Sequence, residues 1–257
     1  MASNLLEIVP DPSALANRAA QMISAQAVSA EGPFTIALSG GSTPKRLYEL
    51  LADPRADYRK QLPWERMHFF WSDERPVGPD HPDSNYRMAW EAMLSRVAVP
   101  EENVHRIAGE MPIAEDAAVA YESGLRTFFR IANDEPPRFD LVLLGMGDDG
   151  HTASIFPGSE VLHEKRKLVA APWVEKLRTY RITLTLPVLN NAATVLFLVS
   201  GEDKASMVNQ VFNGEPNTFP AQFIDPANGL LTWLFDEAAA NKLRKVNLRS
   251  QISDLKS

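Results

Sequence analysis

Short runs rich in β-branched and aromatic residues alternate along the chain with longer stretches in which apolar positions recur three and four apart. That alternation is the pattern of a mostly parallel sheet whose strands are joined by crossover helices. The spacing predicts strands over residues 5–9, 34–38, 67–71, 139–144, 168–171, 182–186, 195–199 and 230–235. It predicts helices over 12–29, 44–51, 86–97, 114–131, 204–212 and 237–246. Turn residues at Glu31-Gly32-Pro33, Gly78-Pro79, Glu135-Pro136-Pro137, Phe156-Pro157-Gly158 and Gly214-Glu215-Pro216 fall between these elements, where backbone turns need them. No repeat, linker or composition break divides the chain, so one doubly wound α/β domain over residues 1–257 is expected. In such a sheet, ligands bind beyond the carboxyl ends of the strands.

Composition narrows the class. With 45% hydrophobic and 23% charged residues, the 257-residue chain can bury a sizeable core. Lys plus Arg number 26 against 33 Asp plus Glu, a formal net charge of -7, which argues against nucleic acid as a partner because phosphate-backbone binding leaves a basic footprint. The absence of Cys removes disulfides, thiol nucleophiles and Cys-based zinc sites. Residues 1–21 lack the basic and apolar regions of a signal peptide. No uncharged apolar run reaches the roughly 18 residues of a membrane span. The expectation is a soluble, cytoplasmic protein that does not engage a membrane.

Three strand ends carry candidate chemistry. Residues 34–38 run into Ser39, Gly40, Gly41, Ser42, Thr43 and Pro44: the glycines admit a ligand to the backbone, Ser42 or Thr43 can cap the helix, and Pro44 suits its first turn. Exposed N–H groups at such a helix start form an anion site, although the spacing is neither a P-loop nor a GxGxxG fingerprint. Asp73-Glu74-Arg75 follows residues 67–71 and offers an Arg fork for phosphate with carboxylates beside it; a solvated surface ion pair is the plainer alternative. Gly145-Met146-Gly147-Asp148-Asp149-Gly150-His151-Thr152-Ala153-Ser154 follows the strand ending at Leu144 and holds the best placed of the five histidines, flanked by a carboxylate and two hydroxyl residues and suited to general base work. No His-x-His or His-x-x-x-His pair supports a metal site, and no G-x-S-x-G elbow supports a serine hydrolase. Arg181 and Lys204, beside other strand ends, are further cationic candidates, with surface solubility as their plain reading.

SGGSTPKRLYELL, WSDERPVGPDHPDSNYRMA and LLGMGDDGHTASIFPGS, in that order and spacing, resemble the glucosamine-6-phosphate isomerase/6-phosphogluconolactonase family, and specifically its lactonases. RITLTLPVLNNA, LFLVSGEDKA and LLTWLFDEAAA extend the resemblance to nearly the whole chain. It implies a Rossmann-like fold similar to glucosamine-6-phosphate deaminase, no metal or organic cofactor, a phosphorylated sugar lactone as substrate, and a monomer or small homo-oligomer. It also implies that His151 is the general base. Asp149 would orient either the imidazole or a substrate hydroxyl. The Gly40–Thr43 loop and Arg75 would take the phosphate, with Asp73 beside them and Arg181 and Lys204 as additional contacts. The nearest rival is the deaminase branch, whose loop reads closer to DGHIAFNEP. Here Phe156 stands where that loop has its Glu, which removes a proton-handling group and favours hydrolysis. A non-catalytic sugar-phosphate sensor is a further alternative, disfavoured by the intact His151.

Overall fold

The computed structural model describes residues 3–131 and 135–243. The chain opens with β1 (Ser3–Val9), α1 (Pro12–Ser29), β2 (Phe34–Leu38), α2 (Ser42–Ala52), α3 (Tyr58–Gln61), β3 (Met67–Trp71) and β4 (Asp73–Glu74). It continues through α4 (Asn85–Ala92), α5 (Ala114–Phe128), β5 (Leu141–Leu144), β6 (Val169–Ala170), β7 (Trp173–Val174), β8 (Thr179–Tyr180) and β9 (Ile182–Leu184). The last elements are α6 (Leu186–Leu189), β10 (Thr194–Val199), α7 (Ala205–Asn213), β11 (Leu230–Asp236) and α8 (Glu237–Ala240).

Six of the strands form one parallel sheet in the order β1-β11-β10-β5-β2-β3. Every residue of β2, β5 and β10 is buried, as a parallel sheet covered on both faces demands. α1 shows how a crossover helix meets that need. Asp11 caps it by accepting from the Ser13 and Ala14 N–H groups, Pro12 occupies its first turn, and Leu15, Ala16, Ala19, Ala20, Ile23 and Ala27 form its buried face.

Two of the expected strands lie outside this sheet. β6 and β9 pair antiparallel, and β9 also pairs antiparallel with β4, forming a separate small sheet. Between them, residues 172–181 hold only the β7–β8 hairpin and a short 3₁₀ turn; parallel pairing needs a crossover of a dozen or more residues. β9 stops at Leu184 rather than 186 because Pro187 sits in the first turn of α6.

The helix expected over 86–97 ends at Ala92. Ala92, Met93 and Leu94 are all buried, and three successive residues cannot share one face of a helix. The backbone breaks at Met93 (φ -140°, ψ -61°) and resumes as a 3₁₀ turn over Leu94–Arg96, which turns all three inward. Likewise Lys204 ends a 3₁₀ turn before α7 rather than beginning the helix. Of the helix expected over 237–246, Glu237–Ala240 is helical, while 244–246 lie outside the described residues.

An aromatic cluster beneath the β3 edge contains two histidines. His68 Nδ1 and His105 Nε2 are 3.1 Å apart, and the His105 ring stacks on Phe70 at 4.3 Å, with Phe128 edge-on. Burial pushes the His105 imidazole down to about 4, helped by its His68 neighbour, and burial lowers His68 as well against the opposing pull of Glu102. Between about 4 and the ordinary value of 6.5 the unfolded chain takes up a proton that folded His105 refuses, so stability should rise with pH across that window. Solvent screening of the partly exposed ring limits the effect to roughly 1–2 kcal/mol. Urea unfolding at pH 4.5 and pH 7 should show a smaller difference in His105→Phe than in the parent protein; equal differences would remove the pair as the source.

Candidate active site

β2 and β5 are hydrogen-bonded neighbours, registered at Ile36↔Leu141 and Ala37↔Val142. After β2 the chain proceeds to the β3 edge, whereas after β5 it proceeds to β10 and β11 on the other side. The two departures open a crevice at the carboxyl ends, where doubly wound sheets bind ligands. A cavity of about 380 Å³ lies there, walled by Ser39, Gly40 and Gly41 after β2, by Gly145–Asp148 and His151 after β5, and by Asp73, Arg75, Asn85, Lys176, Arg181 and Lys204 among others.

Two buried tyrosines pin the strand ends that feed this region. The Tyr48 hydroxyl donates to the Ser39 carbonyl at 2.9 Å and accepts the Ser39 N–H at 3.0 Å. Tyr121 does the same for Trp71 at 3.1 and 2.9 Å. Each hydroxyl satisfies one donor and one acceptor at the end of a strand, and burial pushes both phenols well above their ordinary range.

At the start of α2 the structure corrects the expected cap. Gly41, at φ 107°, is the N-cap, and no side chain bonds the first N–H groups. Ser42 and Thr43 start the helix outside the cavity wall and act on no cap. An uncapped helix start beside a cavity favours an anion.

The loop after β5 holds the expected base. It closes on itself through the Gly147 N–H to the His151 carbonyl (2.9 Å) and the Thr152 hydroxyl to the Gly145 carbonyl (2.9 Å). Asp149 Oδ1 lies 2.6 Å from His151 Nδ1 and also accepts the His151 N–H. Asp149 thus contacts the imidazole and is not among the residues that line the cavity. Burial works to raise the Asp149 carboxyl, but the His151 and Lys176 bonds outweigh it and hold the group below the ordinary carboxylate range. Phe156 stacks on the imidazole, with centroids 4.2 Å apart and planes 25° apart.

Asp148, Asp149 and His151 offer ligand atoms within 4.8 Å of one another, a group that could hold a metal ion. Lys176 already supplies a cation there, its Nζ lying 3.2 Å from Asp148 Oδ1 and 3.1 Å from Asp149 Oδ2.

The Asp73-Glu74-Arg75 stretch divides its labour. Asp73 lines the cavity and receives the Ser154 hydroxyl at 2.6 Å, so it ties the β3 side to the loop of His151. Glu74 is buried and accepts from Arg75 N–H, Asn85 N–H, Tyr86 N–H and the Ser84 hydroxyl, which docks the start of α4. Burial raises its carboxyl despite those bonds. Arg75 donates to the Asp83 carbonyl and Arg181 to the Tyr180 carbonyl at 3.0 Å. Neither guanidinium forms an ion pair among the described residues. Burial lowers Arg181, and the neighbouring Arg75 charge lowers it further. Two cations that share a cavity wall without a carboxylate partner call for an anionic ligand.

The family model for glucosamine-6-phosphate isomerases/6-phosphogluconolactonase matches residues 10–233. The chain belongs to that family. Within the family it is 44% identical over 243 residues to a 6-phosphogluconolactonase of Nostoc sp., covering 93% of this chain and 98% of that one. The 6-phosphogluconolactonase from Trypanosoma cruzi superposes with a TM-score of 0.82 at 31% identity, covering 95% of this chain and 98% of that chain. A monomeric glucosamine-6-phosphate deaminase shares the family fold, with a TM-score of 0.79 at 18% identity over 93% of this chain and 99% of that one.

Sequence reasoning missed Asn85 and Lys176, and placed Ser154 in the loop without its tie to Asp73. Asn85 Nδ2 donates to the Asp73 carbonyl at 2.9 Å, and its amide fills the space a side chain at Gly40 would need. The run Ser84-Asn85 was legible as a helix start, but the contact with Gly40 is tertiary. Lys176 lies in the β7–β8 hairpin, where no motif marks it.

Gly147 has a similar relation to His151: a Cβ there would meet its Nδ1 and Cε1 at 2.1 Å. Gly147→Ala should push the imidazole off Asp149 while leaving the sheet intact. The expected outcome is a fall in kcat of about 100-fold, the lower range for general base catalysis, with an unchanged circular dichroism spectrum. Parent-level turnover in this variant would show that the base tolerates displacement.

Proposed function

We propose that the protein hydrolyses 6-phospho-D-glucono-1,5-lactone to 6-phospho-D-gluconate, the second step of the pentose phosphate pathway, with water activated by His151. The observation that carries the reading is a carboxylate-held imidazole facing the same cavity as two unneutralised guanidiniums. On the same reading, residues 1–257 act as one lactonase domain in the cytoplasm, as a monomer or small homo-oligomer, with no metal or organic cofactor.

An Nδ1–H held by Asp149 leaves Nε2 free to accept a proton. As a water oxygen bonds to C1 of the lactone, His151 takes one of its protons and the carbonyl electrons move onto oxygen. Collapse of that tetrahedral centre breaks the bond from C1 to the ring oxygen, which receives the proton from His151. The ester is already activated, so a base and correct placement suffice. Arg75 and Arg181, with Lys204 and the Gly40-Gly41 turn, hold the phosphate dianion; fork geometry suits the two arginines to it.

Phe156 sets this reaction apart from amino-sugar deamination. Ring opening, isomerisation and amine loss move several protons and need a second titratable group beside the histidine. At the position where the deaminase loop has its Glu, the imidazole here has an aromatic face against it.

His151→Asn should lower kcat by about 100- to 10,000-fold with little change in KM; parent-level turnover would take His151 out of the mechanism. Arg75→Ala should cost about 1.5–3 kcal/mol in kcat/KM, expressed mainly in KM, with Lys restoring only part; an unchanged KM would assign the guanidinium to the fold. Freshly prepared lactone should be consumed above its spontaneous rate with chelator present, and glucosamine 6-phosphate should release no ammonia. Ammonia release at a comparable rate would overturn the assignment.

A further inference from the structure

Asp236 is a carboxylate that the reaction above does not use. It ends β11, is 1% exposed, and has no cationic partner among the described residues. Its charge is met by hydrogen-bond donors from two segments. The Ser200 hydroxyl and the Gly201 N–H, the latter 3.1 Å from both oxygens, come from the turn after β10; the Ala239 N–H at 2.8 Å comes from α8. A buried carboxylate is stable only when such donors converge on it, so the end of β11 and the turn after β10 are bound into one unit.

That turn carries Lys204 to the cavity. Gly201 adopts φ 103°, a region that disfavours side chains, and its carbonyl accepts the Lys204 N–H at 3.1 Å to close the 3₁₀ turn Glu202–Lys204. Lys204 then lines the cavity, and among the described residues its ammonium pairs only with the exposed Asp203 carboxylate, at 3.5 Å. The connection from Asp236 to the ammonium is short and continuous: carboxylate to Gly201 N–H, Gly201 carbonyl to Lys204 N–H, and Lys204 into the wall.

We propose that Asp236 is a positioning residue for substrate binding, which fixes the Ser200-Gly201 turn and so the place of the Lys204 ammonium in the cavity wall. The inference rests on the reading of Lys204 as a phosphate contact. Asp236 acts through the turn and touches no reacting atom. The bond from the Ala239 N–H is a helix cap that Ser200→Ala leaves in place, so that variant removes one of the donors that tie the turn to Asp236, with the Gly201 N–H remaining, and spares the cap.

The test is steady-state kinetics on the phosphorylated lactone for Asp236→Asn, Ser200→Ala, Lys204→Ala and the double variant Asp236→Asn/Lys204→Ala. Loss of a charged phosphate contact in Lys204→Ala should raise KM by about tenfold or more. Asp236→Asn and Ser200→Ala should each raise KM by about 3- to 10-fold with kcat within about twofold of the parent, the signature of impaired binding alone. In the Lys204→Ala background, Asp236→Asn should add nothing further, because the group it positions is gone. A merely structural aspartate would lower the folded fraction, reducing apparent kcat at constant KM in both backgrounds, and that pattern would overturn the proposal. So would a KM increase of the same factor with and without Lys204. An unchanged KM in Lys204→Ala would instead refute the role given to Lys204, a failure distinct from parent-like KM values in the other two single variants.

Discussion

β2 and β5 share backbone hydrogen bonds at Ile36↔Leu141 and Ala37↔Val142, yet the chain leaves them toward opposite edges of the sheet. Two loops must therefore separate just above a fully buried, rigid floor, and the gap between them is not filled by either crossover. The Ser39-Gly40-Gly41 turn and the Gly145–His151 loop are the two lips of that gap. They come close enough that a Cβ on Gly145 would lie 3.9 Å from the Ser39 hydroxyl. The remaining groups of the site are brought to these lips: Asp73 by the β4–β9 pairing, Lys176 by the β7–β8 hairpin and Lys204 by the turn after β10.

Charge is distributed against the average of the molecule. A chain with net charge -7 lines one cavity with Arg75, Arg181, Lys176 and Lys204. These cations do two kinds of work. Lys176 is neutralised by the carboxylates of the base loop, whereas Arg75 and Arg181 lean on backbone carbonyls and keep their charge for an incoming group. Carbonyl oxygens orient a guanidinium without cancelling its charge, while the carboxylates of Asp73, Asp83 and Glu74 act on Arg181 from a distance without forming an ion pair with it among the described residues.

Much of this was legible because local chemistry and tertiary role coincide. The strands with mostly apolar runs, such as 34–38 and 67–71, appear with those bounds, since a parallel strand covered on both faces is buried at nearly every residue. His151 and Asp149 were legible together because a two-residue separation in a tight loop brings them into contact. The sequence was silent where contact spans the chain. Ser154 meets Asp73 across 81 positions and Lys176 meets Asp149 across 27. Glu74 sits between two cavity residues, yet its backbone-donor partners make it structural. The antiparallel subsheet was hidden for a similar reason: 168–171 and 182–186 have strand composition, but their direction depends on a connection whose length rules out a crossover.

Three glycines of the site are spaces already occupied by someone else's side chain. A Cβ at Gly40 would fall 1.9 Å from Asn85 Oδ1, and one at Gly150 would fall 2.8 Å from Phe219, just as Gly147 is filled by His151. Each glycine and its occupant form a unit in which the effect of changing one member depends on the identity of the other. Divergence at these positions is therefore constrained in order as well as in outcome: the occupant has to shrink or leave before the glycine can gain a side chain. For Gly147 the occupant is His151, which closes that path for any descendant that keeps this histidine and leaves Asn85 and Phe219 as the occupants free to change first.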